Sequence, residues 1–379
     1  MPSPLRILAI EPYFGGSHAD FLDGLRGASR HDWTLLTLPA RKWKWRMRGA
    51  AIHFAREAGP LARGQAFDLV LASDFLNLSD WRALAPASLA RLPTVVFFHE
   101  NQLSYPLEAG QTRDFQYGFT NLTTCLAAEE VWFNSAYHRA EFLDAVAALL
   151  KKMPDYVPVG LPEAIREKSR VMYLGAHLKP LVTGRKEKPH EPPLTILWSH
   201  RWEYDKNPEA FFETLFYLAE EELPFRLAVL GVTFRKWPPI FEEAKQRLAD
   251  RIVQFGYLPH REGYEDHVRE ADIVVSTAIH ELFGLAMVEA IAAGCFPLLP
   301  NRLSYPEIIP QKWHDTFLYA DDRELRRKLG ALLRAKGPWN LMADLADHVQ
   351  RFDWSNQARV YDAALEEVAA RQNASDAHG

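Results

Sequence analysis

Short, nearly continuous apolar runs recur through the first half of the chain, at 5–10, 32–38, 67–73, 93–99, 130–135 and 170–175. Between them lie amphipathic stretches, such as 113–129, where a helix is expected to start at Arg113-Asp114. Strands that lose the in-and-out alternation of a half-exposed sheet, and that are separated by helices, predict a parallel sheet covered on both faces. The pattern stops at 177–193, "HLKPLVTGRKEKPHEPP", a proline-rich basic segment with few large apolar residues that reads as an exposed linker. It then restarts at 194–200, 225–231, 251–258, 271–278 and 294–300. The expectation is an α/β protein of two doubly wound, Rossmann-like domains facing a central cleft. Residues 1–177 would form the first, 178–193 the linker and 194–352 the second; 353–379 would be a helix returning to the first domain, then a disordered tail. Ligands of open α/β sheets bind outside the carboxyl ends of the strands, so chemistry is sought just after each run.

Composition narrows the class. A chain of 379 residues can support two cores. No apolar run approaches the roughly 18 residues of a membrane span, and the opening "MPSPLRILAIEP" lacks a signal-peptide layout. Cys125 and Cys295 sit far apart in apolar runs, which suits packing in a reducing compartment better than a disulfide or metal pair. A cytoplasmic monomer with no membrane association is expected.

Several strand ends carry candidate chemistry. Gly15, Gly16 and Ser17 predict a tight turn into a helix capped by Ser17, a place that attracts anions. The GxGxxG dinucleotide fingerprint is missing, and an ordinary strand–turn–helix corner fits as well. His99, Glu100, Asn101 and Gln102 place four hydrogen-bonding side chains in succession after an apolar strand, suited to a hydroxyl-rich ligand; His99 alone fits a core histidine equally. Arg201 and Lys206 flank a loop before a helix beginning near Asn207-Pro208, and two cations there suit a diphosphate. The segment 278–295, "AIHELFGLAMVEAIAAGC", holds Glu281 and Glu289 in apolar surroundings. An unpaired buried carboxylate is costly, so both acids need a reason. Their spacing is too long for the 5 to 9.5 Å carboxylate pair of a glycosidase. It fits a helix start at Phe283, Gly284, Leu285 and Ala286 whose amides face phosphate, with Glu281 and Glu289 reaching opposite ends of a nucleotide sugar.

The pattern Glu-x-Phe-Gly-x-x-x-x-Glu, formed by Glu281, Phe283, Gly284 and Glu289, resembles the signature of retaining nucleotide-sugar glycosyltransferases of the GT-B fold. Arg201 with Lys206, the Gly15-Gly16 turn and the His99 strand end match in the same order. The resemblance implies that Glu281 lies by the transferred sugar, that Glu289 binds the ribose, and that Arg201 and Lys206 neutralise the leaving diphosphate. His99 would hold the sugar, and Gly16 and Tyr257 would join the donor contacts. Neither that family nor this sequence carries Asp-x-Asp, so no metal and no further cofactor is expected. The segments "EPYFGGSH", "LPARKWKWRMRGAA", "FFHENQLSYP", "RDFQYGF", "SHRWEYDKNPEAFF" and "HELFGLAMVEAIAAGCFPLLP" are similar to the tRNA-queuosine α-mannosyltransferase family, from about residue 5 to 310. That likeness implies transfer of mannose from GDP-mannose, with retention, to the cyclopentenediol of queuosine in a tRNA-Asp anticodon.

An RNA acceptor has its own footprint. Residues 41–48, "RKWKWRMR", contain five cations, two tryptophans and no acid. Residues 1–64 hold ten Lys/Arg against five Asp/Glu in a chain of net charge −5. Arg41, Lys42, Trp43, Lys44, Trp45, Arg46 and Arg48 suit phosphate contacts and stacking on splayed bases. An amphipathic helix with core tryptophans explains them also. Ser17, His18, Asn101, Gln102, Gln116 and Tyr117 complete the expected acceptor contacts. Two rival readings are another acceptor (a glycan, a lipid or a small metabolite) and a non-catalytic nucleotide-sugar or RNA-binding module.

Overall fold

A computed structural model describes residues 3–107, 110, 112–183, 190–233, 237–334 and 336–376. The chain divides into two compact units, residues 1–175 with 354–379, and residues 176–353.

The first unit is built on a six-stranded sheet: β1 (Arg6–Phe14), β2 (Asp32–Pro39), β3 (Leu69–Ser73), β4 (Thr94–Phe98), β5 (Glu130–Phe133) and β6 (Ser169–Val171). Their order is β2-β1-β3-β4-β5-β6, all pairs parallel. Val95, Val96, Phe97 and Phe98 are at most 1% exposed, as expected of a strand covered on both faces. The expected helix at 113–129 runs Phe115–Ala127, and the Asp114 side chain caps it by accepting from the Gln116 amide. At the turn after β1 the cap differs from expectation. Ser17 is the first helical residue, and Gly16, with φ 52°, takes the cap position without any side-chain bond. Only a residue at ease in that conformation lets the chain turn so sharply.

The helix Trp354–Asp376 belongs to this unit, lying against the Ser17–Ala28 helix. Trp354 stands where a Cβ on Gly24 or Gly175 would be, 2.1 and 2.3 Å from its ring atoms. Tyr361 donates to the carbonyls of Met172 and Tyr173, and Asp362 accepts from Ser29. The tail expected to be disordered from residue 371 instead continues this helix to Asp376, because the helix is already nucleated by its packed first half. Residues 377–379 lie outside the described residues.

The second unit repeats the architecture with β7 (Leu194–Ser199), β8 (Phe225–Leu230), β9 (Ile252–Gly256), β10 (Ile273–Val275), β11 (Phe296–Pro300) and β12 (Leu318–Tyr319), in the order β12-β11-β10-β7-β8-β9. The two-residue β12 was not expected; so short a strand has no periodicity to detect. The segment expected as a linker over 178–193 opens with a helix, Lys179–Thr183, that buries Leu181. Residues 184–189 of it lie outside the described residues. No helix among the described residues is long and apolar enough to cross a membrane. Cys125 and Cys295 are buried and not disulfide-bonded.

Gly231, just after β8, has φ 145°, and a Cβ there would lie 1.7 Å from the His200 carbonyl oxygen after β7. Gly231→Ala is expected to destabilise by about 1–3 kcal/mol through that clash. Gly263→Ala, in the Arg261–Glu270 helix with nothing within 4 Å, should be neutral or stabilising by up to about 1 kcal/mol. Urea unfolding of both variants checks the contrast.

Candidate active site

In the second unit, the end of β7 delivers Ser199, His200 and Arg201, and a 3-10 turn, Tyr204–Lys206, leads through Asn207 into the helix Pro208–Glu220. This loop is stapled to the one after β10. The carbonyl of Asp205 accepts from the amides of Ile279 and His280, and the Thr277 hydroxyl donates to the carbonyls of Lys206 and Asn207. Lys206 is thereby carried inward, with its side chain 7% exposed. Its ammonium donates to the His280 carbonyl at 2.7 Å and to Glu281 Oε2 at 3.3 Å, and pairs with Asp205 Oδ2 at 3.2 Å.

The charges in this cluster set one another. Burial by itself would raise the Glu281 carboxyl, but Lys206, with His200 and His280, lowers it to about 2. Burial and the Lys206 ammonium hold His200 neutral, lowered to about 3, and His280 likewise at about 4. At neutral pH the site therefore contains an ionised Glu281 beside a lysine, flanked by neutral imidazoles. Arg201 behaves differently from its expected partner. Its guanidinium is about half exposed and pairs with Glu203 at 3.2 Å, so the two cations meet different surroundings.

Gly284, with φ 95°, caps the helix Leu285–Ala292, and no side chain closes its first turn. A Cβ at Gly284 would press on Tyr305 and Ile308 at 3.0 and 3.2 Å. The amides of Leu285 and Ala286 open this helix without a side-chain cap, at the positive end of its dipole. Phe283 is buried on the loop leading into it. Further along the same helix, Glu289 is 6% exposed and accepts from Arg261 Nη2 at 2.5 Å and the Tyr264 hydroxyl at 2.8 Å. Tyr257, past Gly256 at the end of β9, is 58% exposed.

The first unit holds a second cluster. His99, after β4, is buried, and its ring stacks on His18 at 3.9 Å. His18 pairs through Nδ1 with Glu11 at 3.1 Å. Burial would lower His18, but the Glu11 carboxylate outweighs it and raises the group to about 9. Burial, then the neighbouring His18 charge, pushes His99 well down, so it stays neutral. Among the described residues its Nε2 has no hydrogen-bond partner. Donor atoms of Glu11, His18 and His99 lie within 4.8 Å of one another. Stacked rings 30° apart do not aim their in-plane lone pairs at one ion near 2 Å, so a charged pair backing a neutral imidazole fits better. His18, expected among acceptor contacts, thus stands behind His99.

The other expected contacts divide. Asn101 is committed to a local turn, its Oδ1 accepting from the Leu103 and Ser104 amides. Gln102 is buried against Glu100 and Asn121. Ser17 and Gln116 are exposed. The basic segment enters the helix Trp43–Gly64, whose Met47, Ala50 and Phe54 face the core. Trp45 is 66% exposed, its ring folded over Gly49, while Trp43 meets Tyr117 edge-on at 5.0 Å. Lys44 lies over Trp43 and Arg48 over Tyr117, at 5.5 and 5.2 Å. Arg46 turns back to the Pro39 carbonyl, and Arg41 and Lys42 are exposed. Lys152 over Phe115, at 5.1 Å, is a similar pair that the sequence did not disclose. His200, Asp205, Arg261, Tyr264 and Glu11 were also missed. Glu11, an acid inside "RILAIEPYF", and Arg261, a cation opening a helix, were the available signals.

The same two-sheet architecture occurs in a sucrose-phosphate synthase from Thermosynechococcus elongatus, with TM-score 0.73 and 14% identity, covering 97% of this chain and 100% of that one. It occurs also in the Anabaena HepE protein in complex with UDP-glucose, with TM-score 0.66 and 15% identity, covering 96% and 100%. Residues 183–343 match the family described as glycosyl transferases group 1. Fold and match together define a glycosyltransferase of the GT-B class. Residues 6–176 match the family described as tRNA-queuosine alpha-mannosyltransferase N-terminal. The chain is 40% identical over 331 residues, 85% of each protein, to a tRNA-queuosine alpha-mannosyltransferase of Drosophila melanogaster. It belongs to the tRNA-queuosine alpha-mannosyltransferase family and is a hexosyltransferase.

Glu281 and His200 both have folded-state pKa values below their unfolded ones. Each therefore contributes stability that is complete above the unfolded value and is lost as pH falls, from about 6.5 to 3 for His200 and from about 4.5 to 2 for Glu281. Lys206→Met is expected to cost about 2 kcal/mol or more at pH 7. In the variant Glu281 loses the main cause of its lowering, while burial still lowers His200, so stability should fall less steeply with acid, chiefly over the Glu281 range. Urea unfolding at a series of pH values compares the two.

Proposed function

We propose that the protein transfers mannose from GDP-mannose, with retention at the anomeric carbon, to the cyclopentenediol of queuosine in the anticodon of tRNA-Asp. The observation that carries this reading is the 40% identity to the Drosophila melanogaster relative along both units. The site chemistry supports it. Lys206, Arg201 and the amides of Leu285 and Ala286 are suited to the diphosphate, Glu289 to the ribose hydroxyls, and the ionised Glu281 to the cationic character at the anomeric carbon. In the reaction the bond from that carbon to the phosphate oxygen breaks while the acceptor oxygen bonds on the same face. The acceptor proton passes to an oxygen of the departing diphosphate. Charges fixed before reaction stabilise the leaving group without reorganising. The neutral His99, with its unpartnered Nε2, is suited to a sugar hydroxyl. A tRNA acceptor supports a cytoplasmic place of action.

The acceptor reading is supported by Trp43, Lys44, Trp45, Arg48 and Tyr117. Cations in the first turn of a helix, where no acid balances them, oppose the helix dipole, and Trp45 among them leaves most of its ring in solvent. Phosphate and splayed bases give both a use.

Product analysis, turnover and binding measurements test the proposal. Mass spectrometry of nucleosides from queuosine-containing tRNA-Asp, incubated with the protein and GDP-mannose, should show a hexose added to queuosine. Glu281→Ala should lower kcat by about 10²-fold or more. GDP release without nucleoside modification would discard this acceptor, and unchanged turnover in the variant would remove Glu281 from the chemistry. Lys44→Ala with Arg48→Ala should weaken tRNA binding and reduce the slope of log K against log salt by about 1 for each phosphate no longer neutralised, leaving GDP affinity unchanged. Filter binding at several salt concentrations and calorimetry with GDP read the two.

A further inference from the structure

We propose, resting on the donor site described above, that Arg261 and Tyr264 are positioning residues that hold the Glu289 carboxylate ready for the vicinal hydroxyls of the donor ribose. An ionised carboxylate has about four acceptor positions, two on each oxygen. Arg261 Nη2 occupies one on Oε1, and the Tyr264 hydroxyl one on Oε2. One position remains on each oxygen, the number and spacing that a cis-diol requires. Glu289 itself is nearly buried, so its orientation is decided by these two partners.

The placement of Arg261 argues that this is more than a staple between helices. It opens the helix Arg261–Glu270, where the dipole disfavours a cation, and no side chain caps that end. It is kept there by Glu265 at 2.9 Å and Glu289 at 2.5 Å, and its guanidinium lies 5.0 Å from the Tyr264 ring centroid. Half of the Arg261 side chain remains exposed, although its partner Glu289 is buried. The Tyr264 hydroxyl is in turn met by Ser199 Oγ at 3.5 Å, at the end of β7. The carboxylate is thus held at one oxygen by the tyrosine, itself met from the end of β7, and at the other by the arginine. A side chain already held loses little freedom when ligand binds, and the gain appears as affinity for the hydroxyls alone.

The test is calorimetry of the full-length protein with GDP and with 2′-deoxy-GDP. Wild type is expected to prefer GDP by about fivefold or more, the worth of one well-made hydrogen bond. In Tyr264→Phe and Arg261→Gln, GDP should weaken by a similar factor while 2′-deoxy-GDP changes less than twofold, so the preference collapses. Arg261→Lys should restore part of it. Urea midpoints confirm folding, and Arg261, half exposed, supplies the variant least at risk. Equal weakening of both nucleotides, or a preference kept intact in both variants, would overturn the inference. Failure of the donor site itself looks different: Glu289→Ala would then retain the wild-type preference. Should wild type bind UDP in place of GDP, the same comparison with 2′-deoxy-UDP decides the inference while the GDP-mannose reading falls.

Discussion

The Lys206–Glu281 contact joins the loop after β7 to the loop after β10. A lysine ammonium in so closed a place would be expensive to charge, and a carboxylate beside it would be expensive to ionise. Each is tolerable because the other is 3.3 Å away. Keeping them together requires the loop after β7 and the loop after β10 to be locked, which the Asp205 carbonyl and the Thr277 hydroxyl accomplish. It also requires Gly231, because the His200 carbonyl occupies the space a side chain would take. The polarity of the site follows: neutral imidazoles and a buried lysine set between the carboxylates of Asp205 and Glu281, all in place before any ligand arrives.

The first unit uses a parallel device with the signs rearranged. There the charged pair is Glu11 with His18, and the His18 charge adds to burial in keeping the stacked His99 ring neutral. In both units burial, helped by the cation of a neighbouring ion pair, keeps a histidine at the carboxyl end of a parallel strand neutral. Coulomb interaction over 3 to 4 Å in a poorly screened setting is strong enough to do so. Such pairs add little net stability, and they are better understood as fixing which groups carry charge.

The Trp43–Gly64 helix shows the other side of that trade. Its inner face, from Met47 to Phe54, supplies apolar packing, and its first turn breaks the ordinary rules by collecting cations without an acid. Surface positions are free of packing demands, so a departure from local preference there carries functional information.

By itself, the sequence determined the architecture and the position of the chemistry along the chain. Eleven of the twelve strands among the described residues follow from apolar runs, because a strand covered on both faces must be apolar throughout. Arg201 and Lys206 stood out as two cations in the loop after an apolar strand, and Glu281 and Glu289 as two acids in an otherwise apolar segment. Tertiary structure alone decided the partnerships. Nothing local predicts that Lys206 meets Glu281, 75 residues on, or that Arg261 and Tyr264 seize Glu289. Nothing local separates Arg201, half in solvent, from the buried Lys206, or sets His18 behind His99 instead of facing outward. Burial and protonation belong to groups brought together by folding, and a linear pattern records which residues are present but not which of them touch.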